Sequence, residues 1–134
     1  MVCIHYTASS PDTTVEETAT YQTGDTSPPL PGLPFPEIAY HWYVEGDGTL
    51  VRCHEFDRRT WGSDGPGVNE RAIHCCYAGS LAPNDAQLVG IRDAVILSQN
   101  ELGRSLIVEG HKDTGSATQC PGVHWPSWRA AILP

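Results

Sequence analysis

The order of apolar and polar positions along the chain predicts strands that alternate with helices. Residues 2–4 (VCI) are continuously apolar and indicate the end of a buried strand. Residues 39–45 (AYHWYVE) and 49–53 (TLVRC) predict two further strands, and the glycine-rich residues 46–48 between them are typical of a hairpin. Residues 72–79 (AIHCCYAG) show little polar alternation, which predicts a strand in the centre of a sheet.

Two helices are predicted before the last strand. Thr13 followed by Glu16 has the form of a capping box, which predicts a short helix from about residue 14 to 22. Pro83 suits the first turn of a second helix that runs to about Leu102. The apolar positions of this second helix trace one broad face: Leu88, Val89, Ile91, Val95, Ile96 and Leu102.

The remaining segments complete an α/β pattern. Residues 105–110 (SLIVEG) predict a last strand, and residues 126–132 predict a closing helix. Residues 24–36 (GDTSPPLPGLPFP) contain five prolines and two glycines, so they predict a stiff surface loop. The whole pattern predicts an α/β fold, in which a central mixed β-sheet is flanked by helices in a single domain.

Composition narrows the class of protein. A chain of 134 residues most simply forms one domain with its own core. The net charge of -8 argues against a nucleic-acid partner, because phosphates would be repelled. No apolar run approaches the length of a membrane span, so no membrane partner is expected. Five cysteines without a signal-like stretch after Met1 indicate free thiols in a reducing compartment.

The turn-rich segment 110–122 (GHKDTGSATQCPG) contains a histidine and a cysteine, both of which are possible metal ligands. Taken alone, the segment favours an exposed loop histidine and a small buried cysteine. His5, where the first strand runs into a polar loop, is a third candidate. A catalytic zinc needs three protein ligands and an open position for water. His5, His111 and Cys120 could supply them, but composition does not select them from the alternatives.

The other histidines carry weaker signals. Tyr40 and His41 are neighbours on a predicted strand, so at most one of them can face a given site. Taken alone, Tyr40 is best interpreted as an aromatic residue packed in the core. His54, His74 and His124 are interpreted as structural or solvated, because no partner pattern surrounds them.

Four blocks along the chain carry a resemblance to a known family: IHYTAS, IAYHWYVEGDGTLV, NERAIHCCYAG and EGHKDTGSATQCPG. In this order they strongly resemble the zinc-dependent N-acetylmuramoyl-L-alanine amidases. That superfamily includes phage lysozyme-like amidases and the animal peptidoglycan-recognition proteins. The resemblance extends from Ile4 to about Trp128, and the combination of blocks is specific although each block alone is weak.

The resemblance implies a site and an activity. It implies that His5, His111 and Cys120 bind one Zn²⁺ per chain and that Tyr40 and Thr118 take part in catalysis. The implied reaction is hydrolysis of the amide bond between N-acetylmuramic acid and L-alanine, with peptidoglycan or a muropeptide as substrate. A zinc held by two imidazoles and one thiolate keeps Lewis acidity and can lower the pKa of a bound water to about 7.

The sequence departs from the family pattern in two places that affect the site. The loop between the two later ligands is one residue longer than in the commonest pattern, so we expect it to bulge or shift register near Gly115. Family members often have a substrate-contacting histidine in the segment aligned with residues 60–67 (TWGSDGPG), which has none here. Trp61 and Asn69 are the candidates for substrate binding in this region.

Two alternatives belong to other functional classes. Some members of the superfamily lose the cysteine ligand and bind muropeptides without cutting them, so retention of Cys120 with both histidines favours hydrolysis. A structural zinc would instead be closed by a fourth ligand. Cys3 is the candidate for that ligand, because it lies two residues before His5 on the same face of the strand.

The expected setting is a phage endolysin, in which residues 1–134 are the zinc amidase catalytic domain. Such an enzyme is made in the host cytoplasm and acts on the bacterial cell wall at lysis. A cytosolic amidase that recycles muropeptides is the alternative. A charge of -8 gives no attraction to an anionic wall, so we expect another module of a larger endolysin to supply targeting. The domain itself is expected to be a monomer.

Overall fold

A five-stranded mixed sheet forms the centre of the computed structural model, which describes residues 1–24 and 34–134. Most of the predicted loop 24–36 lies outside the described residues. The sheet order is β3-β2-β4-β1-β5, with β1 at Val2–Tyr6, β2 at Trp42–Val44, β3 at Leu50–Arg52, β4 at Ile73–Tyr77 and β5 at Val108–Gly110. The β2–β3 hairpin is antiparallel, and the pairs β2–β4, β4–β1 and β1–β5 are parallel. The predicted α/β class, the hairpin and the central position of β4 are therefore confirmed.

Helices and 3-10 turns flank the sheet. The helices are α1 at Val15–Thr23, α2 at Asp85–Leu102 and α3 at Trp125–Trp128. A 3-10 turn at His111–Thr114 follows β5, and another at Arg129–Ile132 continues α3. The predicted closing helix at 126–132 is present in this composite form. No helix in the described part of the chain is long and apolar enough to cross a membrane.

The predicted start of α1 is wrong by one residue. The Glu17 backbone N–H donates to the Thr14 hydroxyl at 3.2 Å, and the Glu17 carboxylate accepts from the Thr14 backbone N–H at 2.9 Å. Thr14 and Glu17 therefore form the capping box, not Thr13 and Glu16. The Thr13 hydroxyl instead accepts from Ser9 at 2.9 Å, which ties the start of the helix to the loop after β1.

The start and the apolar face of α2 also differ from the prediction. Pro83 precedes the helix, because Asn84 is its N-cap and bonds reciprocally with Gln87. Ile91 and Val95 are buried against the sheet, whereas Val89 is 60% exposed and Leu102 is 39% exposed. The buried face of α2 also contains the small residues Gly90, Ala94 and Ser98. Gly90 lets the helix pack closely on the turn after β2, because a Cβ at Gly90 would lie 2.6 Å from the Gly48 carbonyl oxygen.

Strand alternation divides the interior between the two faces of the sheet. Val2 and Ile4 of β1 belong to the main apolar cluster, which packs on α2 and α3. Burial of each such side chain stabilises the fold by about 1.5–3 kcal/mol. Cys3 and His5 point to the opposite face of the sheet. In the register of β1 with β4, Cys3 lies beside His74 and His5 lies beside Cys76, so these side chains share that face. This opposite face carries the polar and thiol side chains of the candidate site.

Candidate metal centre

The three predicted metal ligands come together at one edge of the sheet. His5 lies near the carboxyl end of β1, and His111 directly follows the adjacent parallel strand β5. One donor atom from each of His5, His111 and Cys120 lies within 4.8 Å of the other two. The His5 Nδ1 and Cys120 Sγ atoms are 3.8 Å apart, and the two imidazole centroids are 4.5 Å apart. Parallel strands commonly place functional groups together at their carboxyl ends.

Hydrogen bonds in and around the ligand loop, residues 110–122, fix the positions of His111 and Cys120. The Asp113 carboxylate accepts from the Gly110 backbone N–H at 3.1 Å and from the Trp125 indole N–H at 2.6 Å. The Lys112 backbone N–H donates to the Cys120 carbonyl at 2.8 Å, which closes the loop on itself. A Cβ at Gly110 would lie 2.8 Å from the Trp125 indole nitrogen, so only glycine allows Trp125 to pack this closely. In the sequence GHKD, the glycine therefore permits this packing and the aspartate supplies the hydrogen-bond acceptor.

The ligand loop changes direction at Gly115. This residue ends the 3-10 turn His111–Thr114 with a φ of +90°, in the left-handed region that favours glycine. The Thr114 hydroxyl donates to the His111 carbonyl at 2.7 Å inside that turn. This turn lies between His111 and Cys120, whose donor atoms come within 4.8 Å of each other, and the expected bulge or register shift near Gly115 stays a prediction.

Burial controls the protonation of the three candidate ligands. His5 is 2% exposed and Cys120 is 8% exposed. Burial, with the neighbouring His74 and His111, lowers the pKa of His5 well below its ordinary value, and burial also lowers the pKa of His111. Both imidazoles are therefore neutral and each has one nitrogen lone pair to offer. Burial raises the pKa of the Cys120 thiol to about 12, although the Tyr6 backbone N–H donates to its sulfur at 3.3 Å.

The donor set fits a zinc ion. A tetrahedral zinc with bonds of about 2.0 Å to nitrogen and about 2.3 Å to sulfur separates those atoms by about 3.5 Å. The observed 3.8 Å between His5 Nδ1 and Cys120 Sγ is close to that value. The His111 Nε2 atom is also buried without a hydrogen-bond partner among the described residues. An Asp64 carboxylate oxygen lies 3.8 Å from it, which is beyond hydrogen-bond distance.

Cys3 belongs to a different group from the one in which it was expected. It joins His5 and His74, whose donor atoms lie within 4.8 Å of one another. In the described ranges, the group that contains His111 and Cys120 has three members and does not include Cys3. Three donors are typical of catalytic zinc sites, whereas structural sites are closed by a fourth protein ligand. The hypothesis of a structural zinc closed by Cys3 is therefore not supported by the geometry.

His74 is the site residue that the sequence interpretation missed. Its Nδ1 atom lies 2.8 Å from His5 Nε2, and its side chain is fully buried. Burial lowers the pKa of His74 to about 3, with smaller contributions from His41 and His111. His74 has no sequence motif of its own, and only the pairing register between β1 and β4 places it beside His5.

Tyr40 lies beside the ligand group, as the family pattern implies. Its ring centroid is 5.5 Å from that of His5. Burial, with the nearby Cys76 and Cys120 thiols, raises the pKa of the Tyr40 phenol well above its ordinary value, so the phenol is a neutral hydrogen-bond donor. Its neighbour His41 instead bonds to backbone groups, at 3.0 Å from the His74 N–H and 3.0 Å from the Arg58 carbonyl.

Thr118 lies two residues before the cysteine, on the ligand loop. Its hydroxyl oxygen accepts from the Cys120 backbone N–H at 3.1 Å. This contact is a local turn interaction of the kind that threonine often makes. A hydroxyl can accept and donate at the same time, so Thr118 can accept from the Cys120 backbone N–H and donate a hydrogen bond to another group.

The two candidates for substrate binding lie in the segment before β4. The Asn69 amide accepts from the Ser63 backbone N–H at 2.9 Å and donates to the Ser63 carbonyl at 2.6 Å. The Ser63 hydroxyl lies 2.9 Å from the Ser116 hydroxyl, which connects this segment to the ligand loop. Trp61 stacks on Phe35, with ring centroids 6.5 Å apart. Asn69 thus has a clear structural task, and substrate binding by Asn69 and Trp61 stays a prediction.

Comparisons with known proteins bear on the family and the fold of this chain. The sequence profile described as N-acetylmuramoyl-L-alanine amidase matches residues 1–123. No curated protein sequence gives a significant match. The fold is similar to that of the endolysin amidase LysCS from Clostridium intestinale URNW, with a TM-score of 0.79 and 21% identity over 100% of this chain and 84% of that chain.

Two further solved structures show the same single-domain fold. The Ph2119 endolysin from the Thermus scotoductus MAT2119 bacteriophage Ph2119 has a TM-score of 0.77 and 18% identity over 99% of this chain and 84% of that chain. The Drosophila peptidoglycan recognition protein SD has a TM-score of 0.72 and 18% identity over 90% of this chain and 73% of that chain. The TM-scores establish the likeness of fold, and the profile match establishes the family. The chain belongs to the N-acetylmuramoyl-L-alanine amidase family.

Proposed function

We propose that this protein is a zinc-dependent amidase that hydrolyses the bond between N-acetylmuramic acid and L-alanine in bacterial peptidoglycan. The observation that carries the proposal is the buried three-donor group of His5, His111 and Cys120, in a chain of the amidase family. Two neutral imidazoles and one thiolate would hold the ion with a net charge of about +1. When bound, zinc supplies Lewis acidity and a water of lowered pKa.

The ligand residues prepare this site in different ways. His5 and His111 are held neutral by burial, so no proton has to leave them before they bind a cation. Cys120 has to lose its proton, and the Tyr6 backbone N–H at 3.3 Å helps to stabilise the resulting thiolate. The loop bonds around Asp113 keep the later donors in place, so little reorganisation is needed on binding.

Tyr40 and Thr118 are proposed as the hydrogen-bond donors of the reaction. The neutral Tyr40 phenol beside His5 can donate to the carbonyl oxygen of the scissile amide as negative charge develops on it. The Thr118 hydroxyl can also donate a hydrogen bond while its oxygen accepts from the Cys120 N–H. Such preorganised donors stabilise the transition state more than the ground state, which is the requirement for catalysis.

A groove next to Tyr40 supports a glycopeptide substrate. It has a volume of about 420 Å³ and lies between the loop after β1 and helix α1. Hydroxyl, amide and carboxylate groups line it together with two tyrosine rings: Thr7, Ser9, Thr13, Glu17, Thr18, Tyr21, Gln22 and Tyr40. This mixture suits a ligand with many hydrogen-bonding groups. A human peptidoglycan recognition protein with the same fold has been solved with a glycosamyl muramyl pentapeptide, which supports a muropeptide as the ligand class.

We further propose that the chain acts as the catalytic domain of a phage endolysin. Similarity to the folds of clostridial and Thermus phage endolysins supports this setting. In it, the protein stays in the host cytoplasm until lysis and then acts on the cell wall as a monomer. The net charge of -8 offers no attraction to an anionic wall, so another module would supply targeting.

The test is a digestion of purified peptidoglycan by the zinc-loaded protein. Cutting the lactyl amide creates a free amino group on L-alanine and no new reducing sugar end, and both can be assayed by labelling and mass spectrometry. Cys120→Ala should abolish the product, whereas Cys53→Ala, which changes a partly exposed cysteine outside the donor group, should not. Reducing ends without alanine amines would contradict the amidase assignment. Binding of peptidoglycan without either product would favour the non-catalytic binding module.

A further inference from the structure

His74, a buried histidine outside the ligand group, contacts the ligand His5. The His74 Nδ1 and His5 Nε2 atoms are 2.8 Å apart, and the two rings are tilted by 44° with centroids 5.0 Å apart. A hydrogen bond between two neutral imidazoles needs an N–H on one ring and a lone pair on the other. The contact therefore couples the tautomers of His5 and His74.

The second nitrogen of His5 decides the direction of this hydrogen bond. His5 Nδ1 faces Cys120 Sγ at 3.8 Å, so a metal between them needs the lone pair of Nδ1. An imidazole that offers Nδ1 carries its proton on Nε2, and that N–H can donate to His74 Nδ1. In the opposite direction, His74 would donate to Nε2, the His5 proton would lie on Nδ1, and His5 could not bind a metal there.

We propose that His74 is a positioning residue that accepts a hydrogen bond from the Nε2–H of His5 and so fixes the tautomer and ring orientation needed for a metal. This inference rests on the proposed zinc site. Metal-binding histidines usually donate their other N–H to a carboxylate, a carbonyl or a water, and loss of that partner typically weakens metal binding by about 10- to 100-fold. In this protein an imidazole takes the place of that partner.

Contacts with His41 fix the backbone of His74, whereas the His74 Nε2 atom, which carries the ring proton when Nδ1 accepts, is buried without a hydrogen-bond partner among the described residues. The His74 backbone N–H donates to His41 Nδ1 at 3.0 Å, and the His74 carbonyl accepts from the His41 backbone N–H at 2.9 Å. Because His41 Nδ1 accepts, His41 carries its proton on Nε2, which donates to the Arg58 carbonyl at 3.0 Å. The His41 and His74 rings are nearly parallel at 12°, with centroids 6.0 Å apart.

Gly62 makes room for the His74 imidazole. A Cβ at residue 62 would lie 2.5 Å from His74 Nδ1 and 2.6 Å from its Cγ, so a larger residue would displace the ring from His5. His74 and Gly62 therefore act as a pair, in which the glycine allows the imidazole to reach the ligand. Gly62→Ala should weaken metal binding through His74, even though residue 62 contributes no donor atom.

The test compares two substitutions of His74 that differ in one property. His74→Asn keeps an acceptor close to the position of Nδ1, whereas His74→Leu fills the space without an acceptor. The zinc dissociation constant is measured by competition with a chelator, and the His5 tautomer is read from ¹⁵N NMR of the zinc-free and zinc-loaded protein. We expect His5 to carry its proton on Nε2 in the wild type. We also expect zinc binding about 10- to 100-fold weaker in His74→Leu and largely restored in His74→Asn.

Distinct outcomes separate this inference from the proposed function. A proton on His5 Nδ1 in the wild-type protein, or unchanged zinc binding in His74→Leu, would overturn the role of His74. If His74→Leu does not fold, the tautomer of the wild-type protein still decides the direction of the hydrogen bond. Zinc binding with the expected loss in His74→Leu, but without amide hydrolysis, would support His74 and overturn the proposed function.

Discussion

The indole N–H of Trp125 donates to the carboxylate of Asp113 at 2.6 Å, and this bond joins the C-terminal helix to the ligand loop. The same carboxylate oxygen accepts from the Gly110 backbone N–H at 3.1 Å, at the end of β5. Asp113 therefore links the start of the ligand loop at Gly110 to helix α3 at Trp125. The position of His111 depends on these two hydrogen bonds of Asp113, because His111 lies between Gly110 and Asp113 in the sequence.

Asp113→Ala is predicted to weaken zinc binding and to destabilise the domain by about 1–3 kcal/mol, since two partly buried donors lose their charged acceptor. Urea unfolding measures the stability, and chelator competition measures the zinc affinity. Asp93→Ala, on the exposed side of α2, is the matched control and should leave both quantities unchanged. Equal stability of the Asp113→Ala and Asp93→Ala proteins would show that the hydrogen bonds of Asp113 do not contribute to the free energy of unfolding.

The second prediction concerns the metal content. The wild-type protein should hold about one zinc per chain, and His5→Ala, His111→Ala and Cys120→Ala should each lose most of it, since a catalytic site has three protein ligands. Elemental analysis of the purified proteins checks this result, with Cys53→Ala as the control that keeps its zinc. Full zinc content in Cys120→Ala would remove the thiolate from the site.

The third prediction separates catalysis from metal binding. Tyr40→Phe should keep the zinc and the fold but lower the turnover number by about 100-fold or more, because a preorganised donor to the developing oxyanion is lost. Amide hydrolysis and zinc content are measured on the same samples. If the Tyr40→Phe protein is as active as the wild type, Tyr40 is reassigned to packing of the groove.

Local sequence patterns were sufficient to predict most of the fold. The glycine-rich turn at residues 46–48 and the continuous apolar run at 72–79 correctly predicted the hairpin and the central strand. The errors are at the starts of α1 and α2 and on the apolar face of α2, where Val89 and Leu102 are exposed. Thr13 and Thr14 are both followed by glutamate three residues later, and the hydrogen bond from Ser9 occupies the Thr13 hydroxyl, whereas Thr14 caps the helix.

The candidate site was predictable only where a motif marks it. His5, His111 and Cys120 were found through the family blocks, and the structure places them together. His74 could not be found in this way, because its contact with His5 depends on the parallel register of β1 with β4. Residues 69 apart in sequence meet there, and a single sequence contains no local signal for that pairing.

The fourth prediction links zinc affinity to pH. The pKa of the free Cys120 thiol is about 12, so zinc must displace a proton from it, whereas the neutral His5 and His111 have none to lose at their ligand nitrogens. The thiol proton should make zinc affinity rise about tenfold per pH unit, and ionisation of the bound water should add to this slope above about pH 7. Calorimetry in buffers of different ionisation enthalpy should show at least one proton released per zinc. Release of no proton would mean that the thiol does not bind the metal as a thiolate.

The last prediction concerns the stability of the zinc-free protein in acid. Burial lowers the pKa of His41 to about 4 and that of His74 to about 3, from an ordinary value of about 6.5. Below about pH 6.5 the unfolded chain binds protons that these folded imidazoles do not bind, so the stability present above that pH is lost as the pH falls.

Each of these two histidines should lower the free energy of unfolding by about 1.4 kcal/mol per pH unit between about pH 6 and its folded pKa. Together they give a slope of about 2.7 kcal/mol per pH unit down to about pH 4, and His5, whose pKa is also lowered by burial, should steepen it. Urea unfolding of the zinc-free protein at a series of pH values measures the slope. His41→Asn removes one of the titrating groups and should reduce it by about 1.4 kcal/mol per pH unit. A stability independent of pH in this range would show that the buried imidazoles bind protons as readily in the folded protein as in the unfolded chain.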